Sequence, residues 1–233
     1  WAEVDLDAIW ENMVHMKENI AEKTKILAVI KTDGYGHGGV PIAKMLEQLD
    51  FMFGYAAATY EEAHVLREAG VKKPILILGY TFPYCYEELI REEIRPAVYR
   101  RDTVEELVAA AANVGQKAKV HIKVDTGMGR IGITPDEEGL EFVRFLIEHP
   151  ELEVEGIFTH FAKADETDKA YTDVQIGKYN YMRDELKKRG VTFPIYHCSN
   201  SAGIIDIKKA NMDLVRAGIS IYGLYPSEEV EKK

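Results

Sequence analysis

The stretch Lys119–Phe161 reads KVHIKVDTGMGRIGITPDEEGLEFVRFLIEHPELEVEGIFTHF. It opens with a short β-branched run, Lys119–Asp125, and passes through a glycine-rich turn. From Asp136, a residue type that caps helix N-termini, it enters an amphipathic stretch over Glu137–Glu148, which Pro150 stops. A second run, Glu153–Phe161, closes the unit. Runs with so little polar alternation suit strands covered on both faces in a parallel sheet. The unit is therefore a strand, a helix and a strand in parallel connection.

Working outward, the same pattern recurs. Further strand-like runs lie at Lys25–Lys31, Phe51–Ala57, Pro74–Gly79, Arg95–Tyr99, Ile195–Ser201 and Leu214–Gly223. Helical patterns lie between them. Asp7 is placed to cap Ala8–Ala21, whose Ile9, Met13, Met16 and Ile20 share one face. Thr59 heads Tyr60–Ala69, Asp102 precedes Thr103–Asn113, and Asp173 precedes Val174–Arg189. Eight strands alternating with about eight helices predict an α/β fold, the (β/α)8 TIM-type barrel. A doubly wound open sheet shares the local pattern, and the count of eight favours the barrel. No internal repeat, low-complexity segment or interdomain linker interrupts the chain.

The 233 residues are 46% hydrophobic and 29% charged, which excludes collagen, a disulfide miniprotein and a mostly disordered chain. Thirty-nine acidic against 29 basic residues give a net charge of −10, which argues against nucleic acid as a partner. Two cysteines, Cys85 and Cys198, suit a reducing compartment and point to a cytoplasmic location. No apolar run approaches the roughly 20 residues of a membrane span, and no signal peptide opens the sequence, which begins at Trp1. Histidines and cysteines are scattered without ligand spacing, so no metal is expected.

In such a barrel the chemistry gathers where strands end. Lys31, after the first run, either reaches solvent or is a lysine of lowered pKa able to form a Schiff base. The glycines of Gly34–Gly39 suit close backbone approach to a ligand, and His37 among them reads as structural. Arg130, in the turn after the fifth run, suits an anion. Lys123 and Asp125 share one strand face and could form an internal ion pair. His160, at the end of the sixth run, could be packed or catalytic. Asn200 and Ser201 precede a helix starting at Ala202, and suit either an anion site or a plain helix cap. Arg216 and Gly218-Ile219 follow in the eighth run, and strands seven and eight are where barrels often hold phosphate. A phosphorylated cofactor that pairs with a lysine fits the set, and pyridoxal 5′-phosphate (PLP) is one.

The segments AVIKTDGYGHG (Ala28–Gly38), HIKVDTGMGRIG (His121–Gly132), FTHFAKADE (Phe158–Glu166), HCSNSAG (His197–Gly203) and VRAGISIYGLYP (Val215–Pro226), with the opening WAEVDLDAIWEN, closely resemble the alanine racemase family. The resemblance runs in order over essentially the whole sequence. It implies a PLP-binding barrel over residues 9–226. Residues 1–8 would be a strand associated with a C-terminal β-domain, and residues 227–233 a polar tail leading to that domain, which this sequence does not include. It also implies a homodimer that interconverts L- and D-alanine for cell-wall synthesis.

Carried over residue by residue, the resemblance makes Lys31 the PLP-bearing lysine and one of two bases. Tyr35 becomes a phosphate contact, and Leu78 a neighbour of the cofactor. Arg130 becomes the contact for the cofactor's phenolic oxygen and the substrate carboxylate. Lys123, often carbamylated in the family, positions that arginine. His160 lies beside the pyridine ring. Asn200, Ser201, Gly218 and Ile219 form the phosphate cradle. Arg216 faces the pyridine nitrogen, supported by His197. Two positions depart from the family pattern, Asp33 where asparagine is frequent and Gly34 where a small side chain is usual. The second base is a tyrosine of the absent domain, supplied by the partner subunit. Two further readings are a serine racemase domain of a larger protein and a non-enzymatic PLP-binding homeostasis protein. The second of these usually lacks the GMGRIG turn and the KTDGYGHG loop.

Overall fold

Parallel strands succeed one another around a barrel in a computed structural model that describes Trp1 and residues 3–232. Ala2 and Lys233, which the sequence reading assigned to the N-terminal strand and the polar tail, lie outside the described residues. The strands are β1 (Lys25–Val29), β2 (Met52–Ala57), β3 (Ile75–Ile77), β4 (Ile94–Val98), β5 (Ala118–Lys123), β6 (Leu152–Phe158), β7 (Ile195–His197) and β8 (Leu214–Ala217). Sequential strands pair in parallel from β1 to β7, and β8 pairs back onto β1. The remaining seam is bridged by two backbone bonds, Asp213 N–H to Tyr196 O at 3.2 Å and Arg216 N–H to Ser199 O at 3.0 Å. Those bonds across the β7–β8 seam, with β8 paired to β1, close the ring and settle the barrel over the open sheet.

The helices are α1 (Leu6–Glu18), α2 (Gly39–Leu46), α3 (Tyr60–Glu68), α4 (Tyr86–Arg91), α5 (Arg101–Val114), α6 (Glu137–Ile147), α7 (Ala170–Lys188) and α8 (Ser201–Asp206). Thr59 and Asp136 cap α3 and α6 as expected, their side chains accepting from Glu62 N–H and Gly139 N–H. Three starts differ from the sequence reading. Asp5, not Asp7, caps α1, so Leu6, Asp7 and Ala8 are helical rather than part of a strand. α5 begins at Arg101, and Asp102 instead accepts from Thr103 N–H and pairs with Arg100. α7 begins at Ala170, and Asp173 forms an ion pair with Lys209. In each case the helix begins one or more residues before the capping side chain that the sequence offered. No helix among the described residues is long and apolar enough to cross a membrane.

The core has two layers. Ile26, Ala28, Ile75, Ile122 and their neighbours pack outward against the helices. Leu27, Val29, Ala56, Leu76 and Leu214 fill the barrel interior. Burying each large aliphatic side chain contributes about 1.5–3 kcal/mol before chain entropy is set against it. The opposite side of the interior carries polar and charged side chains instead: Arg95, His121, Lys123, His197 and Arg216, all buried.

Candidate active site

At the C-terminal ends of the strands lies a cavity of about 610 Å³. Lys31, Tyr35, Leu78, Lys123, Arg130 and His160 line it. So do Asn200, Ser201, Arg216, Gly218 and Ile219, which are up to 188 residues away in sequence from Lys31 (219 − 31). Of the twelve residues picked from the sequence, only His197 stands behind the wall, hydrogen-bonded to Arg216.

Lys31 is held by an unusual turn. Thr32, Asp33 and Gly34 take left-handed dihedrals (φ 52°, 52° and 62°), and Tyr35 follows at φ 53°. Successive left-handed non-glycine residues cost roughly 1–2 kcal/mol each, so the surroundings must hold them. Asp33 accepts from Gly39 N–H at 2.7 Å at the start of α2. Glu62, on α3, accepts from Thr32 N–H (2.9 Å) and Ala58 N–H (2.8 Å), tying the turn to the end of β2. The turn aims the lysine inward, with Nζ 5.7 Å from the centre of the Tyr35 ring. Tyr222, which the sequence reading missed, backs this turn. Its hydroxyl donates to Val29 O at 3.0 Å, and its ring stacks on His37 at 4.6 Å.

Ser201, Gly218 and Tyr35, which the resemblance expects around a phosphate, stand together. Ser201 Oγ accepts from Gly218 N–H (2.9 Å) and Ser220 N–H (3.4 Å), which leaves its own proton to donate. A Cβ placed on Gly218 would lie 3.6 Å from Ser201 Oγ and 3.8 Å from the Tyr35 hydroxyl. The glycine thus keeps open a space bordered by two hydroxyl groups, and an anion accepts hydrogen bonds from such groups. Asn200 is the cap of α8, its Oδ1 accepting from Gly203 N–H at 3.0 Å. The capping role belongs to Asn200 and not to Ser201, whose hydroxyl stays with the cradle.

Arg216 is buried in the cavity wall. Nη1 donates to His197 Nδ1 (2.9 Å) and His197 O (3.3 Å). Nη2 donates to Thr159 O (2.6 Å) and Cys198 O (2.8 Å). Of its five N–H bonds, only that on Nε has no protein partner among the described residues. Burial draws this guanidinium down to about 10, so it stays protonated at neutral pH. Burial first, then the Arg216 charge, holds both His160 and His197 well below the ordinary histidine range, so both are neutral.

Lys123 does not pair with Asp125. Its Nζ donates to Val124 O at 2.9 Å and lies 5.4 Å from the centre of the Phe158 ring. Asp125 turns instead to the backbone of its own loop, accepting from Gly127 N–H (2.9 Å) and Gly129 N–H (3.1 Å). Burial, then the charge on Arg216, lowers Lys123 to about 7. Among the described residues no hydrogen bond joins Lys123 to Arg130, because two cations repel. Arg130 is exposed on the rim, free to meet an anion.

The two loops that carry Arg130 and His160 are fastened by Gln175 of α7, a fully buried side chain that the sequence reading missed. Its Oε1 accepts from Ala162 N–H (2.9 Å), and its Nε2 donates to Thr126 Oγ1 and His160 O (both 3.2 Å). Gln175 lies in a helix of weak amphipathicity, so its pattern gave no sign of burial.

Fold and site together define a (β/α)8 barrel with a lysine and an anion cradle gathered at the carboxyl ends of its strands. Residues 4–226 match the family described as "Alanine racemase, N-terminal domain", and the chain belongs to that family. Among curated relatives, the alanine racemase of Desulforamulus reducens is 45% identical over 232 residues, and that of Methanococcus maripaludis is 40% identical over 234. Both alignments cover all of this chain and 62% of the relative, so the chain spans about three fifths of their length. Among solved structures, the alanine racemase of Clostridium difficile 630 in complex with cycloserine superposes with a TM-score of 0.97 at 43% identity, covering 100% of this chain and 64% of that one. The Bacillus anthracis enzyme with bound L-Ala-P gives 0.93 at 39% identity, covering 99% and 59%.

Proposed function

We propose that this chain is the cofactor-binding barrel of a PLP-dependent alanine racemase acting in the cytoplasm as a homodimer. The observation that carries the reading is the convergence of Lys31, the Ser201–Gly218–Tyr35 cradle and the buried Arg216 on one cavity. When bound there, PLP supplies the electron-withdrawing system that acidifies the Cα–H bond of an amino acid. Lys31 holds the cofactor and, through Nζ, moves the Cα proton on its face. Ser201, Tyr35 and the backbone at Ile219 take the phosphate in the space that Gly218 leaves open. Arg216 offers its one free N–H, on Nε, and keeps that proton, because no base here competes with a guanidinium. Arg130 meets the carboxylate. His160, kept neutral, packs beside the ring without adding charge. The second base, on the opposite face, belongs to a tyrosine of the partner subunit's C-terminal domain, outside this sequence. The product serves cell-wall synthesis. The names of the relatives favour alanine over serine.

Purified chain mixed with PLP should gain a visible absorbance band, and borohydride reduction should fix the label on Lys31. Label on another lysine rejects the assignment. Circular dichroism of alanine enantiomers should show turnover by the chain alone more than tenfold below that of a complete family member, since positioned acid–base groups contribute about 10²–10⁴-fold each. Activity within tenfold places both bases in the barrel. Faster turnover of serine overturns the choice of alanine.

A further inference from the structure

Behind Arg216 runs a line of buried and half-buried groups that the proposed chemistry does not use. Arg216 Nη1 lies 2.9 Å from His197 Nδ1, His197 Nε2 lies 3.0 Å from His121 Nδ1, and His121 Nε2 lies 3.1 Å from Glu155 Oε2. Arg95 closes the far end, with Nε 3.1 Å from Glu155 Oε2 and Nη2 3.3 Å from Oε1. An arginine at each end can only donate. His197 Nδ1 must therefore accept, which puts its proton on Nε2. His121 Nδ1 must then accept, which puts its proton on Nε2, aimed at the carboxylate. One proton arrangement satisfies every contact. The reverse arrangement sets a buried N–H of His197 against a buried N–H of Arg216.

Two backbone features serve this line. The β5–β6 register runs from Val120–Val154 to His121–Gly156, so Glu155 is the extra residue of a β-bulge, and bulges re-aim a side chain. Gly156 clears the path of the ring. A Cβ there would sit 2.6 Å from His121 Nδ1 and 3.0 Å from Ile195 O. Hydrogen bonds from His121 and Arg95 outweigh burial and bring the Glu155 carboxyl down to about 2, so the acceptor at the end stays ionised.

The geometry assigns His121 and Glu155 as positioning residues that lock His197 as a hydrogen-bond acceptor and so fix the orientation in which Arg216 presents its free N–H to the cavity. The effect on Arg216 rests on the function proposed above, whereas the proton arrangement does not.

Nitrogen-15 NMR of histidine-labelled chain, without cofactor, reads the arrangement directly. His121 and His197 should each show a protonated Nε2 and a bare Nδ1. A proton on Nδ1 of either ring, or on both nitrogens, overturns the proposal. The second arm uses the complete enzyme with PLP. His121→Leu removes the acceptor for His197, and turnover should fall about 10–100-fold, the range for loss of an outer partner, with PLP affinity changed less than about threefold. His121→Gln can accept through its carbonyl and donate through its amide, and should restore most of the turnover. A folded His121→Leu enzyme with normal turnover, or a His121→Gln enzyme no better than it, overturns the role. If His121→Leu does not fold, the NMR pattern and His121→Gln decide. Failure of the unaltered chain to bind PLP rejects the function and leaves the ring protons to be judged separately.

Discussion

The two sides of the barrel interior are built on opposite principles. The side formed by β1, β2 and β3 is filled by Leu27, Val29, Ala56 and Leu76, whose contacts have no direction and whose cost of burial is negative. The side from β4 to β8 buries Arg95, His121, Lys123, His197 and Arg216 and partly buries Glu155, each of which is costly unless it finds a partner. The partners are found within the barrel. Two neutral imidazoles stand between the charges of Arg216 and Glu155, and the outer members, Arg95 and Arg216, also bond main-chain carbonyls. The apolar side supplies stiffness under Lys31. The charged side supplies fixed N–H donors. One barrel does both because each strand sends alternate residues inward, and the choice of those residues is free strand by strand.

The largest effect should come where the two sides meet over the cavity. Lys31→Ala should lower the turnover of the complete enzyme by about 10²–10⁴-fold or more while leaving the thermal midpoint of the barrel nearly unchanged. Kinetics and calorimetry on the same preparation check this, and a normal rate would remove Lys31 from the chemistry.

Next, Arg95→Met strands Glu155 in the interior and should cost about 3–5 kcal/mol in denaturant unfolding. The double change Arg95→Met with Glu155→Leu should return most of that stability but not the turnover, because stability needs the charge cancelled and positioning needs the acceptor. If stability is not regained, the pair is more than compensation.

On the apolar side, Leu27→Ala should cost about 2–5 kcal/mol through the cavity it leaves, with no change in the histidine proton pattern. A changed pattern would show that the two sides are coupled.

The smallest effect is one of pH. Unfolded, Lys123 holds its proton up to about 10.5; folded, only up to about 7. Between these values the unfolded chain binds more protons, so stability should rise as pH climbs from about 7 toward 10.5. Lys123→Met should flatten that rise. Carbamylation of Lys123, which needs the neutral amine and would let it pair with Arg130, would also abolish it and would appear as a mass increase of one CO2.

What could be read from the residues divides in the same way. The eight runs and the helices between them were legible because apolar periodicity is local, and Lys31, Arg130 and Arg216 stood out as cations at strand ends. His121 was in view within KVHIKVD, two residues before Lys123 on the same face, but alternation alone does not say what it faces. Glu155 was hidden, since EVEGIF reads as a regular strand and the bulge that turns the carboxylate inward depends on pairing with β5. Gln175 and Tyr222 were invisible for the same reason, their partners lying 13 to 193 residues away.

By itself the sequence determined the (β/α)8 architecture, the family and the groups available for chemistry, because those follow from composition, period and motif. Only the tertiary structure decided that Asp125 turns from Lys123 to its own loop, and that one line of protons runs from Arg216 to Glu155. Each of these depends on which backbone or side chain offers the nearest partner, and that is settled when the strands close.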